Sequence, residues 1–341
     1  MLKGGRQPVW RCRRVPCKLS AMTNPIEPFP AGRFIKEIGR GKKGARSMTR
    51  DDARELYGAM LDGRVSQLEL GGILLSMRIK GESVDEIAGF LDAAEASFAP
   101  LTAPDGDYAP VLIPSYNGAR KMANLTALLA LLLARDGVPV LVHGVPHDVG
   151  RVATAEVFAL LGVHAASSAA EAQAQLAAGR VAFITIDTLA PRLAYMLSLR
   201  RILHVRNSTH TLVKIMQPFA GPALRLVSYT HPEYLEMLGQ YFTTAAAHER
   251  GDAFLMRGTE GETVANANKA QRIDWFHEGQ RTVLVEKQLD ATELPLLPDD
   301  KSAAATADWI AAVLRGDVAI PASIAEQVAQ CKQAARTLRA R

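Results

Sequence analysis

Residues 111–163 alternate short and long apolar runs, and this stretch constrains the fold more than any other part of the chain. The runs Val111–Ile113 and Val138–Val142 are short and rich in valine, as buried parallel strands are. Between them, Leu125–Ala134 is too long for a strand and fits a buried helix. A second helix is expected near Val152–Leu161. The order strand, helix, strand, helix predicts an α/β crossover unit, a type of unit that binds ligands at the loops beyond its strand ends.

Three capped helices precede this unit and predict a small helical domain over residues 49–99. Thr49 followed by Asp52 resembles a capping box with aspartate in place of glutamate, and it starts a helix that ends near Leu61. Ser66 and Ser83 stand in the same way before two further helices. Those helices are predicted at Gln67–Lys80 and Val84–Ala96.

The rest of the chain continues to alternate, so residues 108–341 are predicted to form one large α/β domain with a mainly parallel sheet. Further strands are predicted at Val181–Ile186, Arg225–Tyr229, Ala253–Met256 and Thr282–Lys287. Further helices are predicted at Ala169–Ala178, Thr188–Leu199, Pro232–Ala247, Ala303–Leu314 and Ser323–Leu338. The fold class is therefore α/β, with a small N-terminal helical domain before a large sheet domain.

The positive charge of the chain is concentrated at its N-terminus. Residues 1–49 hold 12 lysines and arginines against 2 acidic residues, whereas the rest of the chain carries a net charge of −5. Residues 1–48 are therefore predicted to be a basic, flexible arm. Its part from Arg33 to Arg46 is either a solvated loop or a contact for nucleic-acid phosphates. Residues 1–21 are either an organellar leader or an extension upstream of a start at Met22, which we favour.

The cysteines and the apolar runs exclude several classes of protein. Cys12, Cys17 and Cys331 do not have the spacing of a zinc site or of a disulfide framework. A reducing cytoplasm is the expected compartment. No apolar run approaches the ~20 residues of a membrane-spanning helix, so a soluble protein without a membrane partner is expected.

The most informative surface segment is Thr188–Pro232, which contains no aspartate or glutamate. Basic residues recur along it, and such a strip suits electrostatic contact with nucleic-acid phosphates. A spacing of four residues places Arg200 and His204 on one face of a helix. The alternative is a solvated basic face without a partner. The candidate nucleic-acid contacts are Arg192, Arg200, Arg201, Arg206, His210 and Lys214.

Three short segments at the strand ends resemble the substrate loops of anthranilate phosphoribosyltransferases. After the first strand that family has Gly-Thr-Gly-Gly-Asp, where this chain has Pro114–Gly118. At the next helix the family has Asn-Ile-Ser-Thr against Asn124–Ala127 here, and after the second strand Lys-His-Gly-Asn-Arg against Val142–Pro146. The resemblance implies a nucleoside phosphorylase or phosphoribosyltransferase-like fold. The positions that match the phosphoribosyl site are Ser115, Asn117, Gly118, Asn124, Thr126, His143 and Gly144.

The predicted helical domain resembles the same family. Its segments Asp62–Ser66, Arg78–Ser83 and Glu86–Gly89 follow the family's wording closely. In that family this domain makes the contact between two subunits. The resemblance therefore implies a homodimer.

The chemistry of that family is nevertheless mostly missing from the matching positions. A diphosphate is held by the backbone amides of a glycine-rich turn, but Pro114 lacks an amide hydrogen and Tyr116 adds bulk. The paired carboxylates that hold magnesium in the family correspond here to residues 263–264, Thr-Val, with Glu260 and Glu262 out of register. We therefore expect a degenerate site, with no catalytic residue, no metal and no cofactor.

Two residues near this site have competing interpretations. His143 lies at a strand end, where it is expected to fix its loop rather than to act as a catalytic base. Arg200 matches a position at which the family has a substrate-contacting arginine, but its basic neighbours favour contact with phosphates.

Three further blocks, Val205–Leu212, Ser228–Tyr234 and Gly258–Glu262, resemble the YbiB-type branch of this fold specifically. That resemblance implies a homodimer that binds DNA, single strands included, with little sequence preference, and RNA is a second candidate partner. Two alternatives are open. One is a surviving phosphoribosyl transfer of the anthranilate phosphoribosyltransferase kind, and the other is a protein scaffold that uses the helical domain alone.

Overall fold

A computed structural model describes residues 27–288, 295–298 and 300–341. The predictions for the leader, for the start at Met22 and for Cys12 and Cys17 lie outside the described residues. Cys331 is buried as a free thiol within a hydrophobic core, and burial raises the pKa of that thiol. This cysteine therefore contributes to packing.

Five helices form the helical domain. They are α1 (Gly32–Ile38), α2 (Gly41–Gly44), α3 (Arg50–Leu61), α4 (Gln67–Lys80) and α5 (Val84–Glu95). Thr49, Ser66 and Ser83 each accept a hydrogen bond from the backbone amide three residues further on, as the sequence predicts. The predicted bounds of α4 are confirmed at both ends, and those of α5 to within one residue.

Residues 27–48 are folded, which corrects the prediction of a flexible arm for this part of the chain. The apolar residues Phe34 and Ile38 are four apart, so they share one face of α1 and are buried in the core. Arg33, on the same helix, pairs with Glu55 of α3. The helical domain therefore begins before residue 49, and its first helix is not a solvated loop.

A buried ion pair closes the turn between α4 and α5. Lys80 Nζ lies 2.6 Å from Glu86 Oε2, and the glutamate side chain is fully buried. Glu86 also accepts hydrogen bonds from the amides of Met48, at 3.0 Å, and Ser83, at 2.8 Å. One carboxylate thus joins the segment before α3 to the α4–α5 turn.

One eight-stranded sheet forms the centre of the large domain. Its strands are β1 (Val111–Ser115), β2 (Val140–Gly144), β3 (Ala165–Ala166), β4 (Ala182–Thr185), β5 (Leu224–Ser228), β6 (Ala253–Met256), β7 (Ile273–His277) and β8 (Gln280–Val285). Their order is β3-β4-β2-β1-β5-β6-β7-β8. The six strands from β3 to β6 in this order pair in parallel. β7 runs antiparallel to β6, and β8 runs antiparallel to β7. The mainly parallel sheet is confirmed, and β3 and β7 are additional to the predicted strands.

Helices cover both faces of this sheet. They are α6 (Thr126–Arg135), α7 (Thr154–Leu160), α8 (Ala169–Ala177), α9 (Ile186–Leu189), α10 (Pro191–Ser198), α11 (Arg200–Leu203), α12 (Thr209–Ile215), α13 (Pro232–Thr244), α14 (Ala303–Arg315) and α15 (Ala322–Arg339). The single helix predicted at Thr188–Leu199 is divided into α9 and α10, because Pro191 has no amide hydrogen and starts a new helix. Within the described ranges, no helix combines the length and the apolar character needed to cross a membrane.

Both faces of the sheet are buried, each in its own core. Along β1, Leu112 faces the core shared with the helical domain, whereas Val111 and Ile113 face the core beneath α6, α14 and α15. This alternation explains why the strands are apolar throughout. The helical domain is also tied to the large domain by a hydrogen bond, 2.7 Å long, between the hydroxyls of Tyr57 and Thr209.

Candidate functional site

The carboxyl ends of β1 and β2 lie side by side and present the loops that the sequence singles out. Ser115 pairs with Gly144 in the parallel ladder, and Pro114 pairs with His143. A Cβ at position 144 would lie 1.9 Å from the carbonyl oxygen of Ser115, so only glycine fits there. The matched positions of the two loops are therefore adjacent in the structure.

Polar side chains at these loops form hydrogen bonds with other parts of the protein. Ser115 Oγ donates to Thr154 Oγ1 at 2.8 Å, and Asn124 Nδ2 donates to the same oxygen at 3.1 Å. Asn124 Oδ1 in turn accepts from the amide of Thr126, at 3.2 Å. The side chains of Ser115 and Asn124 thus brace the start of α7 against the loop after β1.

Tyr116 and His143 form a pair between the two strand ends. The Tyr116 hydroxyl and Nδ1 of His143 are hydrogen-bonded at 2.9 Å. Burial lowers the pKa of His143 to about 3 and raises the pKa of Tyr116 well above its ordinary value. The ring of His143 is therefore neutral at physiological pH, and the pair fixes the loop.

The first amides of the loop after β1 are occupied by a carboxylate from the turn after β6. Glu262 Oε1 accepts hydrogen bonds from the amides of Asn117 and Gly118, each at 2.8 Å. The glutamate is 1% exposed, and its Oε2 has no hydrogen-bond partner in the described part of the chain. A buried carboxylate needs compensation, which the two amides and the nearby charge of Lys214 supply.

A second carboxylate from the same turn binds the next amides. Glu260 Oε1 accepts from the amides of Lys121 at 2.7 Å, Met122 at 2.9 Å and Arg120 at 3.2 Å. The backbone of Glu260 has a φ of 53°, which is uncommon for a residue other than glycine. Residues 258–262, the acidic turn, therefore place two carboxylates against five backbone amides of residues 117–122, the amide loop.

The acidic turn is anchored at the carbonyl oxygen of Gly261. This oxygen accepts from Asn117 Nδ2 at 2.7 Å and Ser228 Oγ at 2.6 Å, and lies 3.4 Å from Lys214 Nζ. At Gly261 the φ is 90°, and a Cβ would come within 2.2 Å of Asn117 Nδ2. Glycine is therefore required for the acidic turn to approach the amide loop this closely.

A groove opens beside the acidic turn, where the helical domain meets the large domain. Its cavity measures about 110 Å³. Three cations line it, Arg78 from the end of α4, Arg206 from the segment before α12, and Lys214 from α12. Two half-buried aromatic side chains, Tyr229 and Tyr234, lie in the same lining. The groove therefore combines positive charge with rings that can stack.

The groove contains one acidic side chain among the described residues, and this side chain accepts a hydrogen bond from a neighbouring serine. Among the lining residues, all from the described chain, Glu82 is the one carboxylate, and its Oε1 accepts a hydrogen bond from Ser208 Oγ. The groove therefore keeps an excess of positive charge.

Arg206 and Lys214 connect this groove to the amide loop. Arg206 Nη2 donates to Asn117 Oδ1 at 3.1 Å, so Arg206, rather than Arg200, is the arginine that reaches the predicted site. Burial lowers the pKa of Lys214 to about 8, although the charge of Glu262 opposes the shift. Lys214 is therefore mostly charged at neutral pH and loses its proton only a little above it.

His210 lines the groove as a neutral group. Burial, followed by the charge of Arg206, lowers the pKa of His210 to about 4. Its Nδ1 accepts a hydrogen bond from the amide of Asn207 at 3.3 Å. At neutral pH this residue contributes shape and hydrogen bonding to the groove but no positive charge.

The remaining basic candidates differ in their surroundings. Arg192 pairs with Asp62 of the helical domain, at 2.5 Å, so its charge is offset. Arg200 and Arg201 are exposed on α11 and form no ion pair with any described residue. His204 ends α11 with a left-handed φ of 58°, so the prediction that it shares a helix face with Arg200 is wrong.

Comparison with known proteins places the chain in a family. Residues 33–97 match the helical bundle domain of the glycosyl transferase family. The uncharacterized protein YbiB of Escherichia coli (strain K12) is 46% identical over 300 residues, which cover 88% of this chain and 92% of YbiB. The chain belongs to the YbiB family.

This YbiB-family chain is also similar to anthranilate phosphoribosyltransferases. The enzyme from Rhodopseudomonas palustris (strain BisA53) is 26% identical over 286 residues, 83% of this chain and 81% of the enzyme. The Thermus thermophilus enzyme superposes with a TM-score of 0.67 at 20% identity, over 90% of this chain and 89% of that one. The Saccharomyces cerevisiae enzyme in complex with PRPP and Mg superposes with a TM-score of 0.60 at 10% identity, over 90% and 94%. The last two likenesses show the fold.

Magnesium and phosphoribosyl diphosphate do not fit the residues of this YbiB-family chain. Thr263 and Val264 occupy the positions at which the resemblance implies carboxylates that bind magnesium. Neither side chain is a carboxylate, and the two residues are buried, with exposures of 0% and 1%. The nearby Glu260 and Glu262 are bound to backbone amides, and those same amides are the donors that a diphosphate would need. Within the described ranges, no cluster of three or more His, Cys, Asp or Glu side chains is placed to hold a metal ion.

Several residues that shape this candidate site are not evident from the sequence. Glu260 and Glu262 carry one signal, since two glycines with positive φ, Gly258 and Gly261, mark a tight turn. The resemblance to the phosphoribosyltransferases implies that this turn lies near the loop after β1, about 140 residues away, but nothing in the sequence indicates that its carboxylates bind the amides of that loop. Arg78 lies on a different domain from Arg206, and only the folded chain brings the two into one groove.

Proposed function

We propose that this protein binds nucleic acid, DNA and RNA, single strands included, with little sequence preference, and that it does not catalyse phosphoribosyl transfer. The observation that carries the proposal is the groove between the two domains. There Arg78, Arg206 and Lys214 lie with Tyr229 and Tyr234 in one lining. Positive charge beside aromatic rings is how proteins hold single strands without reading their sequence.

The groove suits a strand because its contacts can be divided between backbone and base. The exposed Arg200 acts on the charges of Arg206 and His210, so it extends the positive charge beyond the cavity, and Arg201 follows it on α11. Phosphates would contact these arginines and Arg78, since guanidinium groups match phosphate geometry and keep their charge at every physiological pH. A base would stack on a tyrosine ring, which accepts any base because every base has a π-face.

Affinity for single-stranded DNA is therefore expected to fall steeply with salt. With three to five cations contacting phosphates, the logarithm of the association constant should fall with the logarithm of salt concentration with a slope of roughly −2 to −4. Fluorescence anisotropy with a labelled oligonucleotide at several salt concentrations measures this slope. Binding that is weak and independent of salt would contradict the proposal.

Binding is also expected to weaken as the pH rises past the pKa of Lys214. That pKa is about 8, because burial disfavours the charged amine, and deprotonation removes one phosphate contact. Between about pH 7 and about pH 9 the salt slope should become shallower by about 0.7. In a Lys214→Arg variant the charge persists, so the slope should stay constant over the same range, and an equal pH effect in both proteins would exclude Lys214 as its source.

The same protonation has the opposite sign for stability. The folded chain holds the Lys214 proton less tightly than the unfolded chain does, because burial lowers the pKa in the folded state. This residue should therefore make the free energy of unfolding rise between about pH 8 and about pH 10.5. The pH dependence of binding thus cannot be attributed to partial unfolding at this residue.

A homodimer is the second part of the proposal. Three large apolar side chains of α4 are exposed: Leu68 at 87%, Leu75 at 40% and Ile79 at 63%. Their spacings of seven and four residues place them in one stripe, the α4 stripe, which is suited to packing against a second helix. The corresponding domain makes the subunit contact in the family that the sequence resembles. A second copy of this chain is therefore the occupant that we propose for the α4 stripe.

Phosphoribosyl transfer is the competing function, and the fold favours it. The relatives named anthranilate phosphoribosyltransferase share most of the chain's length. Isothermal calorimetry with phosphoribosyl diphosphate and magnesium distinguishes the two functions. Saturable binding by the wild-type chain would support the enzyme and contradict the proposal that the site has lost this ligand.

A further inference from the structure

The amide loop has the form of an anion-binding site. Five backbone amides of residues 117–122 converge on two carboxylate groups, and the loop lies beyond the carboxyl end of a parallel strand. Clusters of free backbone amides of this kind bind phosphate and other anions. In this chain both anions come from the protein itself.

The acidic turn carries costs that its position in the chain does not require. Glu262 is buried with Oε2 unpartnered among the described residues, although a buried charged oxygen without a donor is destabilising. Glu260 has a left-handed backbone, which is strained for a residue with a side chain. Neither feature is needed to connect β6 to β7. Both follow directly if the carboxylates must reach the amide loop.

We propose that the amide loop is a phosphate site with two anion positions, and that the chain occupies both with its own Glu260 and Glu262. This occupation is called closure below. These two residues determine specificity by exclusion, because they keep free phosphate and diphosphate compounds out of the site. A carboxylate tethered to the same chain competes at a high effective concentration, so a dissolved anion must displace it. The evidence for closure is the set of hydrogen bonds from the amide loop to Glu260 and Glu262. Its consequence, that the neighbouring groove is reserved for polymeric phosphates, rests on the proposed function.

The cationic side chains around the two anion positions would suit a diphosphate if the carboxylates were absent. Arg151 Nη1 lies 4.0 Å from Glu260 Oε2, and Lys214 and Arg206 approach from the side of Glu262. Removing the two acids would leave three cations and five amides without these carboxylates, although the charge of Asp148 still acts on Arg206. An inorganic diphosphate carries the charge and the acceptor oxygens to replace both carboxylates.

The test is a double variant, Glu260→Ala with Glu262→Ala, titrated with inorganic diphosphate by isothermal calorimetry. We expect it to bind diphosphate at least about tenfold more tightly than the wild-type chain, a difference of about 1.4 kcal/mol. The control is Asp107→Ala with Asp308→Ala, which removes the same charge from exposed acids that bond to no other described residue. A gain as large in this control would show a general charge effect and overturn the proposal.

A second double variant, Glu260→Gln with Glu262→Gln, protects the test against loss of folding. Glutamine keeps the size and an acceptor oxygen for the amides but lacks the charge, so diphosphate should displace it more easily than glutamate. We expect an affinity between those of the wild-type chain and the alanine variant. If either folded variant, checked by circular dichroism melting, binds diphosphate no better than the control does, the closure is wrong.

DNA binding by the same proteins separates this inference from the proposed function. If the alanine variant gains diphosphate but neither it nor the wild-type chain binds DNA, closure stands and the proposed function fails. If the wild-type chain binds DNA with the expected salt slope but neither double variant gains diphosphate, the proposed function stands and closure fails.

Discussion

Replacing Arg78, Arg200 and Arg201 together by alanine is expected to weaken binding of single-stranded DNA at least about tenfold at moderate salt. Each guanidinium contact to a phosphate is charge-assisted and contributes on the order of 1 kcal/mol or more. The salt slope should also become shallower by about 2, since three phosphates are no longer neutralised. Fluorescence anisotropy across a series of salt concentrations measures both effects.

These three arginines are chosen because their side chains are exposed and form no ion pair with a described residue. Their removal should therefore change the free energy of unfolding by less than about 0.5 kcal/mol. Arg206 and Lys214 are less suitable, because both bond to the amide loop or the acidic turn. Changing them would mix loss of a phosphate contact with disturbance of the site.

The matched control removes three arginines of the sheet domain that do not line the groove. Arg135 ends α6 and Arg180 follows α8, and both line a separate cavity. Arg315 ends α14, next to Leu314 of the same lining. Their replacement by alanine lowers the net charge equally. If the control loses as much affinity as the groove variant does, binding depends on overall charge and the groove is not the binding site.

Local signals in the sequence were sufficient for most of the fold. Ser66 and Ser83 start their helices independently of the rest of the fold, because a capping side chain accepts hydrogen bonds from amides in the first turn of its own helix. The strands β1 and β2 are apolar on both faces, which marks them as central strands of a parallel sheet. The strand β7 escapes this criterion, because buried Asp274 lies within it and is satisfied by Arg272 and Arg281.

The site could be predicted only in part. That the loops after β1 and β2 lie together follows from the rule that ligands bind at the carboxyl ends of parallel strands. The state of individual residues depends on contacts that are distant in sequence. Arg192 is neutralised by Asp62 on the other domain, and Glu262 reaches Asn117 only because β6 and β1 both flank β5. The spacing of residues along the sequence does not predict such pairs.

Replacing the three residues of the α4 stripe, Leu68, Leu75 and Ile79, by glutamine is expected to raise the dissociation constant of the dimer at least about a hundredfold. Burying each apolar side chain at an interface contributes roughly 1 to 2 kcal/mol, and a hundredfold corresponds to only about 2.7 kcal/mol. Glutamine is uncharged and favours helix, so the fold of each subunit and its net charge should be unaffected. Sedimentation velocity over a range of protein concentrations measures the change.

Exposed apolar residues elsewhere provide the control for this variant. Leu160 and Leu296 are exposed by 58% and 83%, and changing both to glutamine should leave the dimer intact. A wild-type chain that sediments as a monomer, or a stripe variant that dimerises like the control, would exclude the α4 stripe as the interface.

Loss of the dimer should weaken DNA binding in a way that depends on the length of the strand. In a dimer the groove is present twice, so a long strand that engages both grooves binds its second one at a high effective concentration. For an oligonucleotide of about 40 nucleotides we expect the stripe variant to bind at least about tenfold more weakly than the wild-type chain. For one of about 8 nucleotides, within the range that a single binding site covers, the two proteins should bind equally. An equal loss at both lengths would instead mean that the stripe residues shape the groove itself, because a single groove should not depend on the second subunit.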